Sequence, residues 1–167
     1  MKISISRFEI ERFTVTSFKS FESVVAALKA SVGRLDLVEF AKASHSAGSL
    51  AELEKVINRL LGKTGLMLFL ELDHGAVLRK ESRLGTPNMV RLVVGNPLVM
   101  KEMAKRVPDA GSYAPVTILV DERPDGVHLT YDKMASLLAP YGNSDALKVA
   151  RDLDDKVEKL LTDAAVE

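Results

Sequence analysis

One stretch constrains the fold of this chain more than any other. The apolar run Met89 to Val94 meets Gly95-Asn96-Pro97 and passes straight into Leu98-Val99-Met100-Lys101-Glu102-Met103. Asn96 suits the residue that caps a helix, because its side-chain oxygen can accept an orphan backbone N–H. Pro97 suits the first helical position, where a missing N–H costs nothing. The junction therefore predicts a strand over residues 89–94 and a helix from Pro97 to about Val107, broken by Pro108-Asp109-Ala110-Gly111.

The rest of the chain can be read outward from that point. The first sixteen residues favour extended structure, since Ile3, Ile5, Phe13 and Val15 recur at close to period two. A helix is expected from about Ser20, with Phe21, Val24, Val25 and Leu28 on one face and Gly33 as its stop. A second helical patch covers Leu35 to Ala43. Ser49-Leu50-Ala51-Glu52 is a capping-box sequence ahead of the stripe Leu50, Leu53, Val56, Ile57, Leu60, Leu61, which Gly62 closes. Leu66 to Leu72 reads as a central strand, apolar on both faces at first and polar on one face later. Asp73 to Asn88, with His74, Gly75, Gly85 and Pro87, reads as at least partly loop.

Past the junction, Val116–Val120 and Val127–Tyr131 flank Arg123-Pro124-Asp125-Gly126, a turn in which proline presets φ and glycine supplies the tight bend. A short helical turn over residues 134–138 ends at Pro140. Leu147, Ala150, Leu153, Val157, Leu160 and Leu161 define a long amphipathic C-terminal helix opened by Asn143 or Ser144. The hairpin is antiparallel by construction, and only strands joined by helices need be parallel. The order predicts a two-layer α/β sandwich: one domain over residues 1–167, a mixed, mainly antiparallel sheet of about five strands, and helices on one face.

Composition narrows the function classes. Twenty-three basic and twenty-three acidic side chains cancel, so no global field draws the protein to nucleic acid or an anionic membrane. The chain has no cysteine, which removes disulfides, thiolate nucleophiles and thiolate metal sites together. Its longest apolar run, Leu66 to Leu70, falls far short of the ~20 residues a membrane span requires. The N-terminus has no unbroken apolar core of the signal-peptide kind. A soluble cytoplasmic protein is expected.

The ordered set Gly95-Asn96-Pro97, the helix behind it, the Pro108-Asp109 break, the strand after Tyr113-Ala114-Pro115 and the Asp125-Gly126 hairpin resembles the bacterial domain-of-unknown-function family 302. The Phe21 helix after an extended segment also fits that family's opening. The resemblance covers about two thirds of the chain and is weakest between Gly33 and Gly62. It implies a compact α/β domain with a mixed sheet that associates as a homodimer, and it brings no established activity. Pro115 stands where many members carry a cysteine, so a thiol-based role suggested for relatives does not extend to this chain.

Candidate site residues follow from chemistry. A helix N-terminus such as that at Asn96 can hold a phosphate or carboxylate, and Lys101 one turn on could add charge. No G-x-G-x-x-G or Walker lysine motif supports this, and Pro97 removes a donor, so a capped structural junction is the simpler reading. Asp73-His74 with Arg79, Lys80 and Glu81 is the densest polar cluster, and His74 with a nearby carboxylate could serve as a general base. Adjacent strand residues point to opposite faces, so Asp73 is not automatically its partner. His128 falls on the less apolar face of its strand, and His45 in a polar segment. Three scattered histidines without H-x-x-x-H or H-x-H spacing do not make a zinc site, and no metal or cofactor is expected. Met100, Met103 and Val107 at helical spacing form a buried face rather than a thioether copper motif. Tyr113 and Tyr131 each join a large apolar body to a polar tip, which suits a pocket rim or an interface.

The favoured expectation is a non-catalytic, homodimeric ligand-binding or accessory module. Its sheet and C-terminal helix would enclose an apolar cleft for a small ligand or partner segment. His74, Arg79, Lys80, Asn96, Met100, Tyr113 and Tyr131 are its expected lining, with Lys101 beside them. The alternative is an enzyme acting on a small anionic substrate, with His74 as acid or base and Arg79, Lys80 or Lys101 holding the anion. A third reading is a structural interaction protein whose exposed hairpin edge pairs with a second subunit.

Overall fold

The computed structural model describes residues 1–81 and 88–166. Six strands form one sheet: β1 (Arg12–Ser17), β2 (Gly33–Arg34), β3 (Met67–Asp73), β4 (Met89–Gly95), β5 (Val116–Arg123) and β6 (Gly126–Asp132). Their spatial order is β1-β6-β5-β4-β3-β2. Every neighbouring pair is antiparallel except β2 with β3, which is parallel. The mixed, mainly antiparallel sheet expected from the sequence is present, with the two-residue β2 as its sixth member.

Seven α-helices accompany it among the described residues: α1 (Phe21–Ser31), α2 (Leu37–Ser46), α3 (Leu50–Leu60), α4 (His74–Glu81), α5 (Pro97–Ala104), α6 (Met134–Leu138) and α7 (Ser144–Val166). The strands alternate as a half-covered sheet should. Val90, Leu92 and Val94 of β4, Val116, Ile118 and Val120 of β5, and Val127, Leu129 and Tyr131 of β6 point to one face and are buried. Val24 and Leu28 of α1, Met103 of α5, Met134 and Leu138 of α6, and Leu153, Val157, Leu160 and Leu161 of α7 complete that core. The other face carries Thr14, Thr16, Arg91, Thr117, Leu119 and Thr130 and stays partly exposed. No helix among the described residues is long and apolar enough to cross a membrane.

Local expectations and structure differ in instructive places. Residues 1–11 form neither helix nor strand, and β1 begins only at Arg12. The arm before it lacks the strand partner that β6 gives to residues 12–17. Part of the segment expected to loop after β3 is helical: Asp73 accepts the backbone N–H of Ala76 at 2.8 Å and so starts α4. The expected loop positions Gly85 and Pro87 lie outside the described residues. The strand read as central, β3, has only the two-residue β2 beyond it. The hairpin β5–β6 sits inside the sheet, because β1 returns to pair along β6 from Arg12↔Asp132 to Ser17↔Val127. No free hairpin edge is therefore left to pair with a second subunit.

Two backbone segments meet closely beside β2. Gly33 and Gly62 both donate their N–H to the carbonyl of Leu66 at 2.9 Å. A Cβ placed on Gly33 would lie only 1.7 Å from the carbonyl oxygen of Leu60. The glycine read from sequence as a helix stop is thus a contact point between chain segments.

Candidate functional site: an apolar cavity at the β4–α5 junction

The Gly95-Asn96-Pro97 turn is built as its residues dictate. Asn96 Oδ1 accepts the N–H of Leu98 at 2.9 Å, and its Nδ2 donates to the carbonyl of Gly65 at 3.1 Å. Both ends of the amide are thereby engaged in holding the turn against the start of β3. Pro97 occupies the first helical position and has no N–H to offer. The free donors that would make this helix end an anion site are largely used up.

Beside the turn lies a cavity of about 230 Å³. Phe40 of α2, Phe69 of β3, Met100 and Met103 of α5, Pro115 at the foot of β5 and Leu153 of α7 form most of its wall. Asn96 is the one polar side chain in the lining, and its hydrogen-bonding groups are already committed. The surface offered to a guest is thus hydrocarbon, aromatic ring and thioether.

The ring of Phe69 reaches this position through a defect in the sheet. The β3–β4 register shifts between Leu68 and Leu70, so Leu68 pairs with Val94 while Leu70 pairs with Val93. An extra residue of this kind re-aims a side chain. Phe69 is that residue, and its ring lies against the cavity. On Gly95 a Cβ would stand 3.1 Å from the Pro115 Cβ, so the absent side chain lets β4 and β5 approach at the cavity floor.

Only part of the sequence-predicted set gathers here. Asn96 and Met100 line the cavity, whereas His74, Arg79 and Lys80 lie at the other end of the sheet. The cause is strand direction: β3 and β4 are antiparallel, pairing Met67 with Gly95 and Asp73 with Val90. His74 follows the last residue of β3, roughly 20 Å along the strand from Gly95 at the usual rise per residue. Arg79 is engaged with Asp73 at 2.9 Å, and Lys80 is exposed. Lys101 points away to Glu54 at 3.7 Å and Glu102 at 3.3 Å. Among the described residues, no group of three His, Asp or Glu side chains could hold a metal ion.

The two tyrosines fall in different settings. Tyr131 is 1% exposed, its ring inside the main core and its hydroxyl on Asp154 at 2.6 Å. Burial first, and then the neighbouring Asp154 carboxylate, push this phenol well above the ordinary tyrosine range. Tyr113 is half-buried, with its hydroxyl 3.0 Å from that of Tyr141. Phe8 packs on both rings, at centroid distances of 6.4 Å and 5.9 Å. Tyr113 directly precedes Ala114 and Pro115 of the cavity wall. His128, 9% exposed on the second face of the sheet, meets Asp125 at 3.0 Å through Nε2.

Phe40 and Phe69 follow no motif as lining residues, since each comes from a different element. The visible signals are the methionine spacing in α5, which marks a flexible apolar face, and the C-terminal helix stripe that carries Leu153.

Comparison with known proteins agrees with this architecture. The crystal structure of an uncharacterized conserved DUF302 protein from Bacillus stearothermophilus is similar with a TM-score of 0.63 and 14% sequence identity, covering 92% of this chain and 97% of that one. At such identity the likeness is one of fold. No curated protein matches the sequence. Residues 40–164 match the family described as domain of unknown function DUF302, a span that runs from within α2 to the last turn of α7. With most of its length in that match, the chain belongs to the DUF302 family.

Proposed function

We propose that the protein is a non-catalytic binding module that takes a small apolar ligand, an aromatic ring or a short alkyl group, in the cavity beside Asn96. The observation that carries this reading is the wall itself: apolar throughout, with its one polar side chain already hydrogen-bonded to the backbone. An apolar cavity of ~150 Å³ stays dry and admits benzene, so a space of about 230 Å³ suits a guest of one to two rings. Guests bind such cavities by giving up water contact, with little need for directed polar groups.

The cytoplasm is the proposed location and a homodimer the proposed assembly. The partly exposed second face of the sheet, where Leu70 keeps 44% of its surface in solvent, supports a second copy as its cover. The enzymatic reading sets His74 as acid or base with Arg79, Lys80 or Lys101 holding the anion. Lys101 lies at the opposite end of the sheet from His74, and both Lys101 and Arg79 are already paired to carboxylates, which favours the binding reading.

Titration with 1-aminonaphthalene, whose fluorescence rises in apolar surroundings, tests the cavity. Saturable binding to the wild type that is abolished by Val99→Trp, which fills the space from α5, is the expected result. Equal binding to both proteins, or none to either, would sink the proposal.

A further inference from the structure

We infer that the N-terminal arm, residues 1–7, is an intrachain strap that closes the cavity by seating Ile5 in it, so that ligand and arm compete for one space. The inference rests on reading the cavity as an apolar binding site. Ile3 and Ile5 are 76% and 89% exposed, although each is a large aliphatic side chain whose exposure to water is unfavourable. The cavity is the complementary surface, a concavity lined almost wholly by apolar side chains.

The chain holds the two near each other. Phe8 is anchored on Tyr113 and Tyr141, and the cavity wall begins at Ala114, one residue beyond Tyr113. Ile5 lies three residue steps before Phe8, a reach of about 10 Å in extended backbone. In a strictly extended chain Phe8 and Ile5 would face opposite sides. Residues 1–11 belong to no helix or strand, so a rotation at Ser6-Arg7 brings Ile5 round without breaking a ladder. Tethering by Phe8 makes the encounter intramolecular, with an effective concentration in the millimolar range.

The absence of tryptophan makes the test direct, because a single indole can report the arm. In the full chain, Ile5→Trp should give blue-shifted emission and several-fold weaker acrylamide quenching than Ser6→Trp, whose side chain leaves on the opposite side. Saturation with 1-aminonaphthalene should expose the indole at position 5. Ile5→Ser should tighten the Kd for 1-aminonaphthalene about tenfold, the shift expected when the closed form outweighs the open one by about ten to one. Equal quenching at positions 5 and 6 overturns the strap. So does an unchanged Kd in Ile5→Ser while the wild type binds. Protection that appears only as dimers form gives the arm to a second copy and likewise overturns the intrachain device. If neither protein binds 1-aminonaphthalene yet the indole at position 5 is protected, the strap stands as a permanent plug and the ligand reading falls.

Discussion

Tyr131 and Asp154 are joined by a 2.6 Å hydrogen bond in the interior, phenol donating to carboxylate, between β6 and the middle of α7. Both side chains are buried. The same carboxylate accepts the N–H of Met134 at 2.8 Å and of Ala135 at 3.0 Å. Lys133, the residue before α6, has no side-chain cap of its own, so α6 takes its cap from another helix. Burial pushes the Asp154 carboxyl up, against the pull of these three donors and of Lys133. One acidic side chain therefore ties β6, α6 and α7 together.

Removing that tie should be costly. Asp154→Ala leaves the Tyr131 hydroxyl and the Ala135 N–H without this acceptor and the Met134 N–H with only its 3.2 Å bond to the Tyr131 oxygen. It should lower stability by about 3 kcal/mol. Tyr131→Phe removes the phenol's bonds to Asp154 and from Met134 but keeps the carboxylate cap, and should cost about 1–2 kcal/mol. Urea denaturation midpoints of the two variants and their double mutant would show the coupling. Equal, sub-kcal effects would mean that the carboxylate is not the cap.

The tyrosines set the alkaline behaviour. The Tyr131 phenol is held high by burial and by Asp154, and that of Tyr141 by its hydrogen bond with Tyr113 and then by desolvation. In the folded chain both keep their protons above pH 10, where unfolded tyrosine ionises. The folded state then binds more protons than the unfolded one, so stability falls as pH rises past about 10. Absorbance at 295 nm should show Tyr131 and Tyr141 silent in that range until the protein unfolds. Ionisation of Tyr131 and Tyr141 in folded protein near pH 10 would contradict it.

Gly33 should tolerate no side chain. A Cβ there meets the Leu60 carbonyl oxygen at 1.7 Å, which is backbone and cannot rotate away. Gly33→Ala is expected to cost about 3 kcal/mol through forced separation of the two segments. Thermal unfolding measures it, and an unchanged Tm would place flexibility where the packing indicates contact.

The sequence and the structure agree where the signal is local. Asn96 and Pro97 announce the β4–α5 turn because capping chemistry involves only neighbours. Pro124-Asp125-Gly126 announces the hairpin for the same reason. The capping box is also local, with a variation: Ser49 accepts from the N–H of Glu52, while Glu52 reaches back to the N–H of Gly48 rather than that of Ser49. The site was less legible because it depends on which strand ends coincide. Reading β3 as a central strand with a ligand at its end put His74 in the foreground. The antiparallel β3–β4 pairing instead carries the end of β4 back beside the start of β3. The bulge that places Phe69 leaves no trace in local pattern, and the stripe that carries Leu153 marks a buried helix face without saying what it will face.

The pairing of β1 with β6 has a consequence for how the chain comes into being. Arg12 meets Asp132 across 120 residues, at 2.6 Å and 2.8 Å. On a ribosome β1 emerges before β6, and its partner strand follows only after more than a hundred further residues have been made. Until then its Phe13 and Val15 have no strand beside them. Pairings of such long sequence separation close slowly, since loop entropy must be paid before the contact is gained. The nascent protein thus carries an unmatched strand while the residues between β1 and β6 are made, and the time at which residue 132 clears the exit tunnel sets the earliest moment the sheet can be completed.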